Sequence, residues 1–79
     1  MSRQKKEALI ISFDNTTEAM AVEKYCVENN LPGRIIPVPR EITAGCGLAW
    51  RALPEDEEVL LFAFEKAKLI WREKYIVLL

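Results

Sequence analysis

With 79 residues the chain has room for one small domain, residues 1–79, whose first seven residues read as a polar tail. Lysine plus arginine number 11 against 12 aspartates and glutamates, a net charge of −1 spread along the chain, which excludes the basic stripe of a nucleic-acid module. Two cysteines without histidine argue against a zinc site within one chain, and no apolar run approaches the roughly 18 residues of a membrane span. The polar start has no apolar stretch leading to a small-residue cleavage site. It predicts a cytoplasmic protein whose thiols stay reduced.

Residues Ala8–Phe13 form an apolar run rich in strand formers, the pattern of a central strand. Asp14-Asn15-Thr16-Thr17-Glu18 then supplies capping residues and an early acid, predicting a helix over Thr16–Asn29. Ala19, Met20, Val22, Cys26 and Val27 are expected to share its apolar arc. Glu23 falls inside that arc, so either Arg34 or Arg51 pairs with it or it reaches solvent. Asn30, Pro32 and Gly33 mark the stop. Arg34–Val38 reads as a second strand and Gly47–Leu53 as a third. Pro54 opens a second helix, with Glu55–Glu58 complementing its N-terminal dipole. This helix is predicted to run to about Leu69, with Lys66 and Lys68 at its C-terminal end. Val59, Leu60, Phe62, Ala63, Ala67 and Ile70 are expected to face the sheet, with Leu61 and Phe64 pointing elsewhere. Lys74–Leu79 is the fourth strand.

The order β-α-β-β-α-β predicts an α+β fold: a ferredoxin-like two-layer sandwich with an antiparallel four-stranded sheet. In that topology the second strand runs parallel to the first, with the third between them. The loop between the second and third strands then leaves the sheet at the end where the first helix begins. Helices on one side leave the other sheet face open in so small a chain. That face, the apolar second helix and the last strand predict a homodimer.

The long loop carries the chemistry. It holds Pro39, Arg40 and Glu41, then a cysteine, Cys46, between Gly45 and Gly47. Small neighbours leave a thiol open. Arg40 and the helix start at Thr16 and Thr17 favour a thiolate, or another anion, beside it. The bland alternative is a packed Cys46 at a strand start, because free cysteine is among the most buried residue types. Cys26, on the helix arc, reads as core. Pro37 and Pro39 suit the end of an edge strand. No histidine is present for a triad, and Gly33, Gly45 and Gly47 do not make a phosphate loop. The residues call for no cofactor and no metal, and they argue against a self-sufficient enzyme.

Phe13 and Thr16–Lys24, followed by Pro37-Val38-Pro39-Arg40-Glu41-Ile42-Thr43 and Cys46-Gly47-Leu48-Ala49, resemble a small prokaryotic family, DUF3343, of selenium/sulfur carrier-like domains. The resemblance spans nearly the whole chain. Its most specific element, Pro-Arg-Glu-Ile-Thr-x-x-Cys-Gly, is complete and includes Pro39, Arg40, Glu41, Cys46 and Gly47. It implies a carrier whose Cys46 thiol holds a persulfide or selenosulfide, with sulfur or selenium donor and acceptor proteins as partners. Two other readings of the residues stay open. One is a non-catalytic regulatory or protein-interaction module with a structural Cys46. The other is anion or small-ligand sensing at Arg40 and the first helix's N-terminus.

Overall fold

The computed structural model describes residues 6–40, 42 and 45–78. Its first strand, β1 (Glu7–Ser12), is buried at every residue after Glu7, so both of its faces and both of its edges need partners. The chain supplies them with α1 (Thr16–Glu28), β2 (Arg34–Pro37), β3 (Leu48–Ala52), a 3-10 turn at Pro54–Asp56, α2 (Glu57–Lys66) and β4 (Lys74–Leu78). The sheet order is β2-β3-β1-β4 with every neighbouring pair antiparallel, so β2 lies parallel to β1 across β3. This is the predicted α+β ferredoxin-like sandwich. Glu7, placed in the polar tail by its composition, instead opens β1 opposite Leu78. Among the described residues no helix is long and apolar enough to cross a membrane.

The helix ends follow from local hydrogen bonding. Asn15 caps α1, its side-chain oxygen accepting from the Glu18 N–H at 2.9 Å, while the Glu18 carboxylate accepts from the Asp14 N–H at 3.1 Å. At the other end Asn30 takes a left-handed φ of 54°, and Leu31 donates its N–H to the Cys26 carbonyl at 2.9 Å. The stop of α2 repeats this arrangement. Lys68 has φ 57°, and the Leu69 N–H reaches the Phe64 carbonyl at 2.8 Å. The second helix therefore ends at Lys66, short of the expected Leu69.

Two apolar clusters sandwich the central strands. On the helix side Leu9, Ile11, Phe13, Ala19, Val22, Cys26, Trp50, Leu60 and Phe64 pack together. This corrects the predicted helix faces. On α1, Ala19, Val22 and Cys26 are buried, whereas Met20 is 40% and Val27 68% exposed. At 3.6 residues per turn Met20 and Val27 lie about 80–100° round from Ala19, and the buried arc is centred on the other side of it. On α2 the buried pair is Leu60 and Phe64, one turn apart; Phe62 is 65% exposed and Val59 is exposed too, while Ile70, 62% exposed, lies beyond the helix end. A helix apolar nearly all round carries no phase in its pattern, so the sheet selects the face. Glu23 is half-buried, but the ion pairs among the described residues, Arg72–Asp14 and Lys74–Glu57, join neither Arg34 nor Arg51 to it.

The face away from the helices is covered more than its sequence suggested. Ala8, Ile10 and Ala49 are buried there, and Ile42, from the β2–β3 loop, packs onto them with 5% exposure. Ile36, Val38, Tyr75 and Val77 border this second cluster.

Trp50 fixes the turn after α1. Its indole N–H donates to the Pro32 carbonyl at 3.0 Å. Gly33, at φ 111°, lies against the same ring, where a Cβ would fall 2.7 Å from Trp50 Cε2 and 2.6 Å from the Arg51 carbonyl oxygen. Strained φ and overpacking act together in Gly33→Ala, which is expected to lose about 3 kcal/mol of stability in urea unfolding. Cys26 gives a second test. Burial pushes its thiol up to about 11 from an ordinary 9.0. The folded state therefore favours the neutral thiol. This contribution is whole below pH 9.0 and is lost as the pH rises towards 11. Wild type should lose stability relative to Cys26→Ala across that window by about 1.4 kcal/mol per pH unit, measured by urea melts at each pH.

Candidate thiol site

Both arms of the β2–β3 loop are pinned by backbone hydrogen bonds. The Val38 N–H donates to the Gly47 carbonyl at 2.9 Å, extending the β2–β3 ladder past its last strand residues. The Ile42 N–H donates to the Pro39 carbonyl at 3.0 Å, turning the chain so that Ile42 reaches the lower sheet face. The Cys46 N–H donates to the Phe13 carbonyl at 3.0 Å, tying the returning arm to the end of β1. This places Cys46 against the β1–α1 junction, at the end of the sheet that the topology predicted.

The glycines beside the thiol have a backbone role that sequence reasoning missed. Gly45 sits at φ 98°, and a Cβ there would fall 2.6 Å from the Phe13 carbonyl oxygen, the acceptor that Cys46 uses. Gly47 has φ 92° with open space where its Cβ would be, so its requirement is conformational alone. Two left-handed turns around one cysteine hold the loop in contact with β1. The signal for this was the Gly-Cys-Gly spacing itself, read only as steric access.

Cys46 is half-buried. Its side chain packs at the margin of the helix-side core, with Sγ 3.9 Å from the Leu48 carbonyl oxygen. Cys26 is 1% exposed, and both cysteines are free thiols. Of the other loop candidates, Arg40 is exposed at the turn and Pro39 is half-buried, whereas Glu41 lies outside the described residues. Thr16 and Thr17 are exposed in the first turn of α1.

A polar cluster lies at the same end of β1. Asp14 pairs with Arg72 at 2.6 Å, an exposed contact whose hydrogen bond raises the guanidinium's already high pKa. Ser12, wholly buried, donates its N–H to the Glu73 carbonyl at 2.8 Å, and the Arg72 N–H returns to the Ser12 carbonyl at 2.7 Å. The Tyr75 hydroxyl donates to the Glu73 carboxylate at 3.0 Å, which raises the phenol's pKa. Arg72, Glu73 and Tyr75 were not among the sequence candidates, because only β1–β4 pairing brings them beside the β1–α1 junction.

No curated protein and no solved structure matches the chain. Residues 8–76 match a family model described as "Putative Se/S carrier protein-like", which covers every described strand and helix, apart from the outermost residues of β1 and β4. On that match, the chain belongs to the Se/S carrier protein-like family.

Proposed function

We propose that the protein is a non-enzymatic sulfur or selenium carrier that uses Cys46 as its carrier thiol in the cytoplasm. The observation carrying this reading is a half-buried thiol on a loop fixed to β1, while the other thiol, Cys26, is sealed in the core with its pKa pushed up to about 11. Family membership supports it. In the transfer, the Cys46 thiolate attacks the outer sulfur of a donor protein's persulfide. A new S–S bond forms to Cys46, the donor's S–S bond breaks, and the donor leaves as a thiolate. An acceptor thiolate reverses these events. With selenium the terminal atom is Se and the product is a selenosulfide. No net oxidation occurs, and no base is needed once the thiol is ionised. Pro39, Arg40, Gly45 and Gly47 shape the loop that the donor meets, with Arg40, Thr16 and Thr17 as the groups for an anionic partner.

One observation favours a second reading, an interaction module with a structural Cys46: the side chain packs on the core and Sγ lies near the Leu48 carbonyl. The two part in a single experiment on Cys26→Ala protein. A carrier thiol is alkylated by iodoacetamide at neutral pH within about tenfold of the unfolded rate, and gains the mass of one sulfur atom from a polysulfide donor. Protection beyond about a hundredfold, released only by denaturant, removes the carrier reading.

The protein is further expected to form a homodimer. Ile76 (46% exposed) and Leu78 (57% exposed) stand on the helix side of edge strand β4, and α2 leaves Phe62 exposed. Sedimentation at micromolar concentration should give a dimer mass, and Ile76→Glu should convert it to monomer. A wild-type monomer mass removes this expectation.

A further inference from the structure

The sheet end away from Cys46 holds a second feature. Arg34 and Arg51 are directly opposite each other in the β2–β3 register. Cβ atoms of such pairs lie about 4.5–5.5 Å apart, and like charges in this position are destabilising. Neither arginine is in an ion pair with a described residue, since those pairs are Arg72–Asp14 and Lys74–Glu57. On its other side Arg51 faces Ile10, which is wholly buried, so no opposite charge meets it along the row. Arg51 is itself half-buried, which weakens its hydration relative to a free surface arginine.

The two arginines and Lys6 line one cavity of about 330 Å³, walled further by Gly33 and Leu53. Its acids are Glu7 and Asp56. The Asp56 carboxylate accepts from the Leu53 N–H at 3.3 Å. With three cations against two acids, the walls carry an excess of positive charge. The volume is at the lower end for small-molecule sites.

We propose that this cavity binds a phosphate group, free or carried by a small phosphorylated molecule, between Arg34 and Arg51, with Lys6 at its margin. Guanidinium forks give paired N–H bonds to oxyanions. A phosphate dianion has the oxygens for two forks and the charge to neutralise both. A carboxylate, with two oxygens and one charge, matches only one. Bound phosphate would also relieve the repulsion across β2–β3. This site goes beyond the carrier reading and does not depend on Cys46.

The test is calorimetric titration of the full chain at low salt with inorganic phosphate and, separately, with ribose 5-phosphate, using wild type, Arg34→Gln and Arg51→Gln. Wild type is expected to bind at least one probe, and each substitution to weaken it by about tenfold or more, as for loss of a charged hydrogen-bonding partner. Equal affinity for the two probes identifies free phosphate as the ligand; tighter binding of ribose 5-phosphate identifies a phosphorylated molecule. Without ligand, both variants should melt at or above the wild-type temperature, which separates lost binding from lost folding. Lys66→Gln, which removes a positive charge on α2 outside this cavity, should bind as wild type does. Absence of binding by both probes at millimolar concentration, or binding unchanged in both arginine variants, overturns the proposal.

Discussion

A small sheet whose central strand is apolar on both faces must be covered on both faces, yet the two α-helices among the described residues pack on the same side. Ile10 and Ala49 would otherwise face water. Much of the rest follows from that constraint. The β2–β3 loop is long because it has to turn under the sheet and deliver Ile42, then climb back to the end of β1. A segment that resembles a purely functional motif is therefore also a piece of the core. Ile42 serves burial, Pro39 turns the chain through its carbonyl, and Gly45 lets the returning arm approach Phe13 closely.

This dual use bears on the thiol. A cysteine on a free loop would sample many positions, and each contact that the thiol makes would have to select one. Cys46 is held by its own N–H and by the neighbouring glycines' conformations, so much of the ordering is done on folding. The same anchoring brings its side chain against the core margin. Accessibility and rigidity oppose each other here, and half-burial is the outcome.

Much of the architecture was legible in the sequence because strand runs and capping residues are local signals. The apolar run after Glu7 gave β1, Asn15 and Asn30 bracketed α1, and the element order gave the sheet topology. What was misread depended on phase or register. Met20 and Val27 were placed on the buried arc of α1 because several apolar residues fit more than one arc. Phe64 was turned away from the sheet because α2 is apolar nearly all round. The stop at Lys68 had no glycine to announce it. At the site, the end of the sheet where Cys46 lies followed from topology, but the contact with Phe13 needed loop geometry. The facing of Arg34 and Arg51 needed strand register, which no single-strand pattern contains.

The pairing of β1 with β4 joins residues from opposite ends of the chain: Glu7 stands beside Leu78 and Leu9 beside Ile76. Every other described strand and helix lies within the loop that this contact closes. The entropy of closure rises slowly with loop length, but such non-local pairing slows the search for the native state. During synthesis β1 has no second edge partner until the last strand has left the ribosome, so its apolar residues wait half-paired. In the completed sheet β2 and β4 are the outer strands, and β4 carries exposed Ile76 and Leu78. A strand bonded along one edge opens more readily than a strand bonded along both, so amide protons of β2 and β4 are expected to exchange ahead of those of β1 and β3.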